Sequence, residues 1–568
     1  MAENAPPPNF YSSDSHLHDT LAFLAADDLS PWTPDLESFG AWAAGPCDTA
    51  AAYTDRHARP LLEAFDRDGL RTNRIVHSPG WEASSCEVYR RGIVGLNYGN
   101  NPAPFLVTFA MGYMLSQADV SLHCPVTMTG SVAHVLNRFA PEALGNKYLP
   151  QLTRRDGHAL SGGTWATELH GGSDIGATTT VATPDGNGAF RLNGLKWFTS
   201  NANGGLALAT ARAKGEKAPG SKGLGVYLVP THLEDGSPNP MIVRRLKDKL
   251  GTCAVPTGEI DLTDTFAEEI AAAPEGFKLM MEALGFSRIH NALAAAGIQR
   301  RAFTEALAFA EDRQAFGHNI LTYPMVREEF LKLVAPLEAG LLLSFEAARA
   351  FDAAHHIPLD ETENPARVWL RLSTALAKYL TAEDAIHGAS RAIEIIGGNG
   401  YVYDRITPRL LRDAQVLTVW EGPANIQALE MLRLLGPRFG GATAFVRHIE
   451  DILARLPDID KPAGAAIRAP FGDAFTACLE GLATVARDAG QAPRHARRLL
   501  HLLAETYAAA LLLQRAGRHW SERGDRRAAL VARWYVENRL APRPFQGIAG
   551  DPDWTAPDFT SIMHNEMV

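Results

Sequence analysis

The chain has 568 residues, of which 46% are hydrophobic and 21% charged, a balance typical of a folded globular protein and not of a disordered or low-complexity chain. Its formal net charge of −10 argues against binding nucleic acid or an anionic membrane through the overall field of the molecule. Its five cysteines are scattered and odd in number, without a C-x-x-C pair, which argues against a disulfide framework or a zinc site and favours a reducing compartment.

Residues 1–160 are predicted to form a helical domain. Residues 1–14 carry neither the basic segment nor the apolar stretch of a secretory signal. Short helical pieces separated by Pro and Asp-Gly occupy residues 1–75, and apolar residues recur at helical spacing in 129–152. Because no apolar run reaches about 18 residues, we expect a cytoplasmic protein without a membrane-spanning helix.

Residues 161–272 are predicted to form a β domain. Seven short segments in this region are rich in Val, Thr and aromatic residues and are separated by Gly, Pro and Asn. The linker 184–188, with the sequence PDGNG, indicates a hairpin turn between two of them. This pattern favours a small antiparallel barrel or sandwich.

Helical patterns return after residue 272. Three long segments with helical periodicity follow one another, and the last of them stops at Gly397-Gly398. They predict an antiparallel bundle over 273–438, followed by a further helical domain over 439–568. The expected fold class is therefore multidomain and mainly α, with a central antiparallel β-barrel domain.

Five short motifs carry residue types suited to ligand binding or proton transfer. In chain order they are Thr167–Asp174, Lys196–Asn201, Arg313–Gly317, Ile396–Tyr401 and Trp420–Ile426. The first is a Gly-rich turn whose backbone N–H groups and hydroxyls suit an anionic or hydrogen-bonding ligand, with an ordinary polar loop as the alternative. The second places consecutive aromatic residues on opposite faces of a strand, one for the core and one for a ligand, unless both serve core or cross-strand packing.

The other three motifs lie in the predicted bundle. Arg313, near a helix end, suits either the last helical carbonyl groups or bidentate phosphate binding. The Gly397-Gly398 pair predicts a helix C-cap. Glu421 precedes a helix, where it is either an acid favoured by the helix dipole or a general base beside the aromatic Trp420.

The order and spacing of these five motifs resemble the acyl-CoA dehydrogenase superfamily over residues 80–436. The segment Arg245–Gly251, the Trp before Glu421 and the helical extension after residue 440 are similar to its AidB-like, alkylation-response branch. The resemblance implies an acyl-CoA dehydrogenase-like fold with an extra C-terminal helical domain. It also implies FAD held across two chains, and hence a homo-oligomer, expected to be a tetramer.

The resemblance further implies roles for single residues. Glu421 falls on the catalytic base, which would remove the α-proton of an acyl-CoA thioester while the β-hydride passes to FAD. The implied FAD contacts are Ala166, Thr167, Ser173, Phe198, Thr199, Ser200, Arg313, Phe316, Gly397, Gly398, Trp420 and Asn425. The implied substrate contacts are Leu169, Ile175 and Arg288, and the implied electron acceptor is an electron-transfer flavoprotein.

One departure from the family pattern keeps a different function open. Leu169-His170 replaces the Pro-Gly that usually follows Thr-Glu in the turn, which leaves a flavin oxidase or oxygenase acting on a non-CoA substrate as an alternative. We expect His170 near the active site in a structural or solvent role. Some relatives carry the base on the first long helix, at the position of Ser287, so that alternative site is empty here. Nitroalkane-oxidising relatives would carry Asp at the base position and monooxygenase-type relatives usually lack the acid, so the retained Glu421 favours a dehydrogenase.

The C-terminal extension is rich in arginine. Between Arg487 and Arg543 there are twelve arginines against five acidic residues. The clustered arginines are Arg494, Arg497 and Arg498, then Arg523, Arg526 and Arg527. Such clusters suit the phosphates of double-stranded DNA, which makes a DNA-associated flavoprotein with weak dehydrogenase activity the second alternative. A solvated helix face or pairing across an oligomer interface explains the same residues.

Overall fold

The computed structural model describes residues 9–25, 28–456, 459, 461–541 and 558–563. Residues 1–8 and Arg543, which entered the sequence predictions, lie outside these ranges. The chain forms two compact units: an N-terminal unit of residues 1–13 and 29–290, and a C-terminal unit of residues 14–28 and 291–568. Within the residues described, none of the helices combines the length and apolarity that a membrane crossing demands.

Helices make up most of the described chain. They are α1 Ser15–Leu24, α2 Thr33–Trp42, α3 Asp48–His57, α4 Pro79–Arg90, α5 Phe105–Ala118, α6 Val120–Arg138, α7 Glu142–Thr153, α8 Glu275–Asp312, α9 Pro324–Ala354, α10 Pro365–Ile396, α11 Gly398–Tyr401, α12 Thr407–Leu417, α13 Ala424–Leu435, α14 Gly441–Ala454, α15 Lys461–Arg487, α16 Ala492–Arg523, α17 Arg527–Tyr535 and α18 Phe559–Met563. The strands are β1 Leu61–Phe65, β2 Arg71–Val76, β3 Gly162–Trp165, β4 Val181–Pro184, β5 Phe190–Ser200, β6 Leu206–Ala213, β7 Gly225–Pro230, β8 Met241–Leu246, β9 Thr257–Ala271, β10 Gln314–Ala315 and β11 His318–Asn319.

The helices of the N-terminal unit surround α5. Every residue of α5 is buried, because the segment carries no charged side chain and presents an apolar surface on all sides. The helical segment predicted over 129–152 is interrupted, since α6 ends at Arg138 and α7 begins at Glu142. Pro141 lies in the interruption, where it lacks an amide hydrogen and disfavours a helical conformation at Ala140.

The sequence did not predict the hairpin formed by β1 and β2. Its turn is closed by the Asp66 carboxylate, which accepts hydrogen bonds from the backbone N–H groups of Asp68 and Leu70, and Gly69 has a positive φ of 81°. The Asn73 side chain on β2 donates to the Met241 carbonyl and accepts from the Val243 N–H, which attaches the hairpin to β8. The predicted N-terminal region is therefore not wholly helical.

The seven predicted strands of the middle region all form, and they make one sheet. Strands β6, β4, β5, β9 and β7 pair in that order, and a further β7–β6 pairing closes the ring into a small barrel, with β3 paired to β6 and β8 to β9. Trp165, Leu192, Tyr227 and Ile260 are among the buried side chains that fill it. This confirms the mainly α fold class with a central β barrel.

Two pairings in the barrel are parallel and not antiparallel. Strand β3 pairs with the first half of β6 and β4 with the second half, both in parallel. Strands β3 and β4 therefore lie one after the other along the same side of β6. Residues 166–180 form the connection between them. The Gly-rich motif of the sequence analysis lies in that connection, and the other strand pairings are antiparallel.

The C-terminal unit joins the second half of α8 to a bundle of α9, α10, α12 and α13. The helix α10 ends at Ile396, as predicted, with Gly397 as its C-cap at a φ of 74°. Helices α14 to α17 form the predicted C-terminal extension. Glu338 on α9 is completely buried, and it forms ion pairs with Arg515 on α16 and Arg527 at the start of α17, which fixes the extension to the bundle.

Candidate functional site

A buried ion pair anchors the Gly-rich turn after β3. Lys196 Nζ on β5 donates to Glu168 Oε1 at 2.9 Å, and both side chains are buried. Thr179 and Thr180 donate to the same carboxylate through their N–H groups and hydroxyls at 2.6 to 3.1 Å. Burial opposes the ionisation of Glu168, but Lys196 and the threonine donors lower its pKa to about 2. Glu168 is therefore a structural carboxylate that fixes the turn.

The anchored turn presents its remaining residues outward. Ala166 is buried at the end of β3, whereas Leu169, His170 and Ser173 are exposed. Thr167 accepts a hydrogen bond at its carbonyl from the Trp197 N–H at 3.0 Å, which brings the turn alongside β5. A Cβ at Gly172 would lie 2.6 Å from the Thr167 hydroxyl, so any other residue there would force the Thr167 side chain to move. Ile175 is half-buried in the short helical turn that follows.

The consecutive aromatic residues of β5 do not point to opposite faces as predicted. Strand β5 pairs Lys196 with Ile260 and Thr199 with Gly258, so it contains one extra residue between these pairs and forms a β-bulge. At the bulge the Trp197 ring is half-buried and the Phe198 ring is 54% exposed. Neither ring belongs to the buried core of the barrel, and Phe198 offers an aromatic face to a ligand.

The two residues after the bulge have different environments. The Ser200 hydroxyl is half-buried and lies 3.0 Å from the hydroxyl of Thr257 on β9. The Thr199 side chain is fully buried, and its hydroxyl donates to the Gly258 carbonyl at 2.7 Å. The prediction that Thr199 contacts a cofactor is therefore wrong for its side chain, because alternation along the strand turns it into the barrel.

Glu421 lies in a strained turn that two buried side chains hold in place. Its φ of 58° and that of Gly422, 93°, are both in the left-handed region, which a glutamate rarely adopts. Lys378 Nζ on α10 donates to the Gly422 carbonyl at 2.9 Å. Gln427 Nε2 on α13 donates to the Glu421 carbonyl at 3.1 Å and to the Gly422 carbonyl at 2.9 Å. The Glu421 Oε2 atom is buried, and the turn sets the point from which the side chain extends.

Trp420 and Asn425 flank this turn on either side. The indole Nε1 of Trp420 is buried and has no hydrogen-bond partner among the described residues, so it is a donor available to a ligand. Asn425 is exposed in the first turn of α13. Both remain suited to the predicted cofactor contact.

The predicted Arg313 and Phe316 lie in a hairpin that is separate from the Glu421 turn. Strands β10 and β11 are joined by Phe316 and Gly317, at φ values of 51° and 83°, as in a tight two-residue turn. The Phe316 side chain is 96% exposed and makes only an edge contact with Tyr323 within the described chain. The exposed ring is therefore accessible to the cofactor contact predicted for it.

Three further predicted positions are on or next to the long helices. Gly397 and Gly398 have open space where a Cβ would stand, as a close approach of a ligand requires. Arg288 is buried on α8. The neighbouring Ser287 is buried with its hydroxyl 3.0 Å from that of Ser131 on α6, so the alternative position for the base holds a structural serine.

The prediction that Arg527 contacts DNA is wrong. The guanidinium is buried, where its Nη2 donates to Glu338 Oε1 at 2.7 Å and its Nε donates to the Ile562 carbonyl at 2.6 Å. Charge counting along the sequence could not detect this, because Glu338 is 189 residues away along the chain. This arginine stabilises the fold of the extension.

The other arginines of the two clusters are at the surface. Arg523 forms an ion pair with Asp19 at 3.3 Å, and Arg497 forms one with Glu383 at 3.0 Å. Arg494 donates to Gln491 and Arg498 contacts His495, both on or beside their own helix, while Arg526 is the residue before α17. DNA contact by these five residues stays a prediction.

Sequence reasoning missed the residues that hold the site in shape. The ammonium of Lys378 and the amide of Gln427 set the Glu421 turn, and the Glu168–Lys196 pair sets the Gly-rich turn. The available indication was a polar residue in an apolar stretch, as with Lys378 in the segment LAKYL. Such a residue must find a buried partner, although the sequence does not say which.

A closed β barrel between helical regions of the chain, followed by a bundle with a strained glutamate turn, defines the class of acyl-CoA dehydrogenase folds. Comparisons with known families agree. Residues 2–157 match the adaptive response protein AidB N-terminal domain, 163–265 the acyl-CoA dehydrogenase middle domain and 274–435 the acyl-CoA dehydrogenase C-terminal domain.

Individual proteins match over most of the chain. AidB of Escherichia coli (strain K12) is 30% identical over 392 residues, 67% of this chain and 70% of that protein. Acyl-CoA dehydrogenase family member 11 of Caenorhabditis elegans is 28% identical over 523 residues, 89% of this chain and 84% of that protein. The crystal structure of C. elegans ACDH-11 in complex with C11-CoA superposes with a TM-score of 0.86 at 28% identity, covering 96% of this chain and 94% of that one.

The chain therefore belongs to the acyl-CoA dehydrogenase family, in its AidB-like branch, which confirms the resemblance carried by the five motifs. Members of this family are FAD flavoproteins that act on CH–CH groups. The protein is accordingly an oxidoreductase of that class, with FAD as its cofactor.

Proposed function

We propose that the protein is an acyl-CoA dehydrogenase in which Glu421 is the base that removes the α-proton of a CoA thioester. The observation that carries the proposal is the left-handed turn at Glu421, held by hydrogen bonds from Lys378 and Gln427. Strain of this kind persists only where the surrounding structure enforces it, and it is concentrated at functional sites. The relative solved with C11-CoA supports a CoA thioester as the substrate class.

The residues present fit FAD. On the N-terminal unit, Phe198 provides an exposed aromatic face, and Thr167 and Ser200 provide hydroxyls on the Gly-rich turn and at the end of β5. On the C-terminal unit, Trp420 provides a buried indole N–H without a partner among the described residues. We assign these residues, with Ala166, Ser173 and Asn425, to the flavin and ribityl side. Arg313, Phe316, Gly397 and Gly398 are assigned to the pyrophosphate and adenosine of FAD in a neighbouring subunit of a homo-oligomer, which accounts for the exposure of Phe316.

In the proposed reaction each of the chain's groups has one task. The Glu421 carboxylate accepts the α-proton, and its backbone N–H donates to the thioester carbonyl, where negative charge develops. Lys378 and Gln427 hold both groups in one geometry, so little reorganisation accompanies proton transfer. Bound FAD would supply the acceptor for the hydride that leaves the β-carbon. Leu169, Ile175 and Arg288 are proposed to contact the substrate, and an electron-transfer flavoprotein is proposed as the acceptor.

The test is anaerobic mixing of the purified flavoprotein with a panel of acyl-CoAs of increasing chain length, while the flavin absorbance is recorded. Bleaching by at least one thioester, lost in Glu421→Gln, is the expected result. A protein that retains FAD but is bleached by no thioester would contradict the proposal. Rapid reoxidation of the reduced flavin by oxygen would instead support an oxidase or oxygenase, because a dehydrogenase keeps that reaction slow.

A further inference from the structure

The segment that follows β8 carries two lysines two residues apart: Lys247 contacts the aromatic residues of β5, and Lys249 contacts Thr257 on β9, which neighbours Ser200 at the end of β5. Lys247 Nζ lies 3.5 Å from the centre of the Trp197 ring and 4.7 Å from that of the Phe198 ring. The β-bulge makes this double contact possible, because it brings both rings to the same ammonium group. Cations over aromatic faces are attracted to the ring quadrupole, so the contact fixes the two rings.

A buried carboxylate fixes Lys247 in turn. Glu259 on β9 is 3% exposed and accepts hydrogen bonds from Lys247 Nζ at 2.6 Å and from Arg245 Nε at 2.9 Å. Burial opposes the ionisation of Glu259, but the hydrogen bonds from Arg245 and Lys247 hold its pKa below the ordinary value. Lys247 therefore presents a fixed charge, in contrast to a flexible surface lysine.

Lys249 acts on the other flavin-facing residue of β5. Its Nζ donates to the Val255 carbonyl at 2.7 Å and to the Thr257 hydroxyl at 2.9 Å. The Thr257 hydroxyl lies 3.0 Å from the Ser200 hydroxyl. A hydroxyl that accepts from an ammonium has its own hydrogen free to donate, so the contact with Lys249 favours donation from the Thr257 hydroxyl to that of Ser200. Ser200 then has its hydrogen available for a ligand.

We infer that Lys247 and Lys249 are positioning residues for the flavin: Lys247 sets the Phe198 ring and adds a fixed positive charge beside it, and Lys249 sets the donor direction of Ser200. The inference rests on the proposed function, since it needs Phe198 and Ser200 to face the flavin. It gives a chemical role to the segment Arg245–Gly251, which the proposed reaction does not use. A fixed cation beside the flavin stabilises the reduced form, which carries more negative charge, and so raises the midpoint potential.

The test compares Lys247→Met with two matched variants of the same holoprotein. Arg244→Met removes a charge from β8, three residues before Lys247, where the exposed Arg244 pairs with Asp261 at 2.6 Å. Lys247→Arg keeps the charge over the rings. Glu259 retains Arg245 in Lys247→Met, so no buried carboxylate loses all its partners and the variant is expected to fold. The readouts are FAD release, followed by flavin fluorescence on dilution, and the midpoint potential, measured by reductive titration against reference dyes.

We expect Lys247→Met to weaken FAD binding about threefold and to make the midpoint potential more negative, with Lys247→Arg close to wild type and Arg244→Met unchanged. Lys249→Met is expected to shift the flavin absorption spectrum, as loss of an oriented donor does. If Lys247→Met and Arg244→Met show the same FAD release and the same midpoint potential, the proposed role of Lys247 is wrong. An unchanged spectrum in Lys249→Met would overturn that of Lys249.

A further variant separates failure of this inference from failure of the proposed function. Phe198→Leu removes the aromatic face itself and is expected to change both FAD release and the flavin spectrum. If Phe198→Leu changes neither, β5 does not face the flavin, and the proposed site and the inference fail together. If Phe198→Leu changes both while the lysine variants match their controls, only the inference fails.

Discussion

Lys378 donates a hydrogen bond from its ammonium group to the carbonyl of Gly422 at 2.9 Å, across 44 residues of the chain. This bond links α10 to the turn that displays Glu421. Because Lys378 is buried, its charge must be satisfied by such partners, and the turn becomes part of the rigid bundle. The position of the proposed base therefore depends on a residue that is not expected to touch the substrate.

The first prediction concerns this link. We expect Lys378→Met to lower kcat about 10- to 100-fold with a smaller effect on KM, since a displaced base lowers the rate of proton removal more than it weakens substrate binding. Steady-state kinetics with the best thioester measures both constants. Lys332→Met, which removes a partly exposed lysine paired with Glu328 and Glu329 on α9, is the control and should retain wild-type kinetics. Equal losses in the two variants would contradict the positioning role.

The second prediction uses the backbone strain at Glu421. Glycine adopts a φ of 58° without the penalty that a glutamate bears, so we expect Glu421→Gly to increase the free energy of unfolding by about 1 kcal/mol relative to Glu421→Gln. Both variants remove the base and should lose dehydrogenation. Chemical denaturation compares the two proteins. A glycine variant less stable than the glutamine variant would show that the turn is not strained.

These predictions rest on contacts that local sequence patterns do not contain. The strands of the barrel and the end of α10 at Gly397 were predictable, because β-branched residues, turn residues and a C-capping glycine act within a few residues. The β-bulge at Trp197 was not, since it depends on the pairing of β5 with Ile260 and Gly258. The hairpin of β1 and β2 was missed although Asp68-Gly69 indicates a turn, because the flanking strands have weak apolar alternation.

The residues of the candidate site were likewise predictable only in part. Glu421 and Phe198 were recognisable from motifs whose spacing is fixed in the chain. The residues that hold them were not, because Lys378 and Lys247 are separated from their partners by tens of residues, and a lysine in a sequence indicates a surface position. Arg527 illustrates the opposite error, since a charge cluster concealed a buried ion pair with Glu338.

The third prediction concerns pH and the Glu168–Lys196 pair. The pKa of Glu168 is about 2 in the folded protein, below its ordinary value of 4.5, so the ionised form stabilises the fold above about pH 4.5, and that contribution is lost as the pH falls toward 2. At pH 7 we expect Glu168→Gln to lower the free energy of unfolding by about 3 to 5 kcal/mol, because the ammonium of Lys196 is left buried without a carboxylate to balance its charge. The difference in the free energy of unfolding between the variant and wild type should be smaller at pH 3 than at pH 7. Denaturant titrations at the two pH values measure it. A difference independent of pH would contradict the ionised pair.

The fourth prediction separates buried from exposed arginines in the C-terminal extension. Arg527→Met removes one of the two guanidinium groups that pair with the buried Glu338, and we expect it to lower the free energy of unfolding by about 3 kcal/mol. Arg494→Met, at an exposed position, should change it by less than about 0.5 kcal/mol. Thermal denaturation of the two variants and of wild type measures this difference in stability. Weaker, salt-sensitive DNA binding in Arg494→Met alone would support the DNA-associated alternative, whereas the same loss in Arg527→Met would reflect unfolding.

The fifth prediction concerns the exposed Phe316. Since 96% of its side chain is accessible, Phe316→Ser should change the free energy of unfolding of the separated chain by less than about 0.5 kcal/mol. If the ring contacts the adenosine of FAD held by a neighbouring subunit, the variant should nevertheless release FAD more readily than wild type. Its oligomer should also dissociate at a higher protein concentration than the wild-type oligomer does. Flavin content and light-scattering mass, measured over a dilution series, test both effects. Tyr53→Ser, at an exposed aromatic in the N-terminal unit, is the control. FAD retention and mass equal to this control would exclude Phe316 from the intersubunit site, because a ring that contacts the adenosine or a neighbouring chain cannot be removed without weakening at least one of the two.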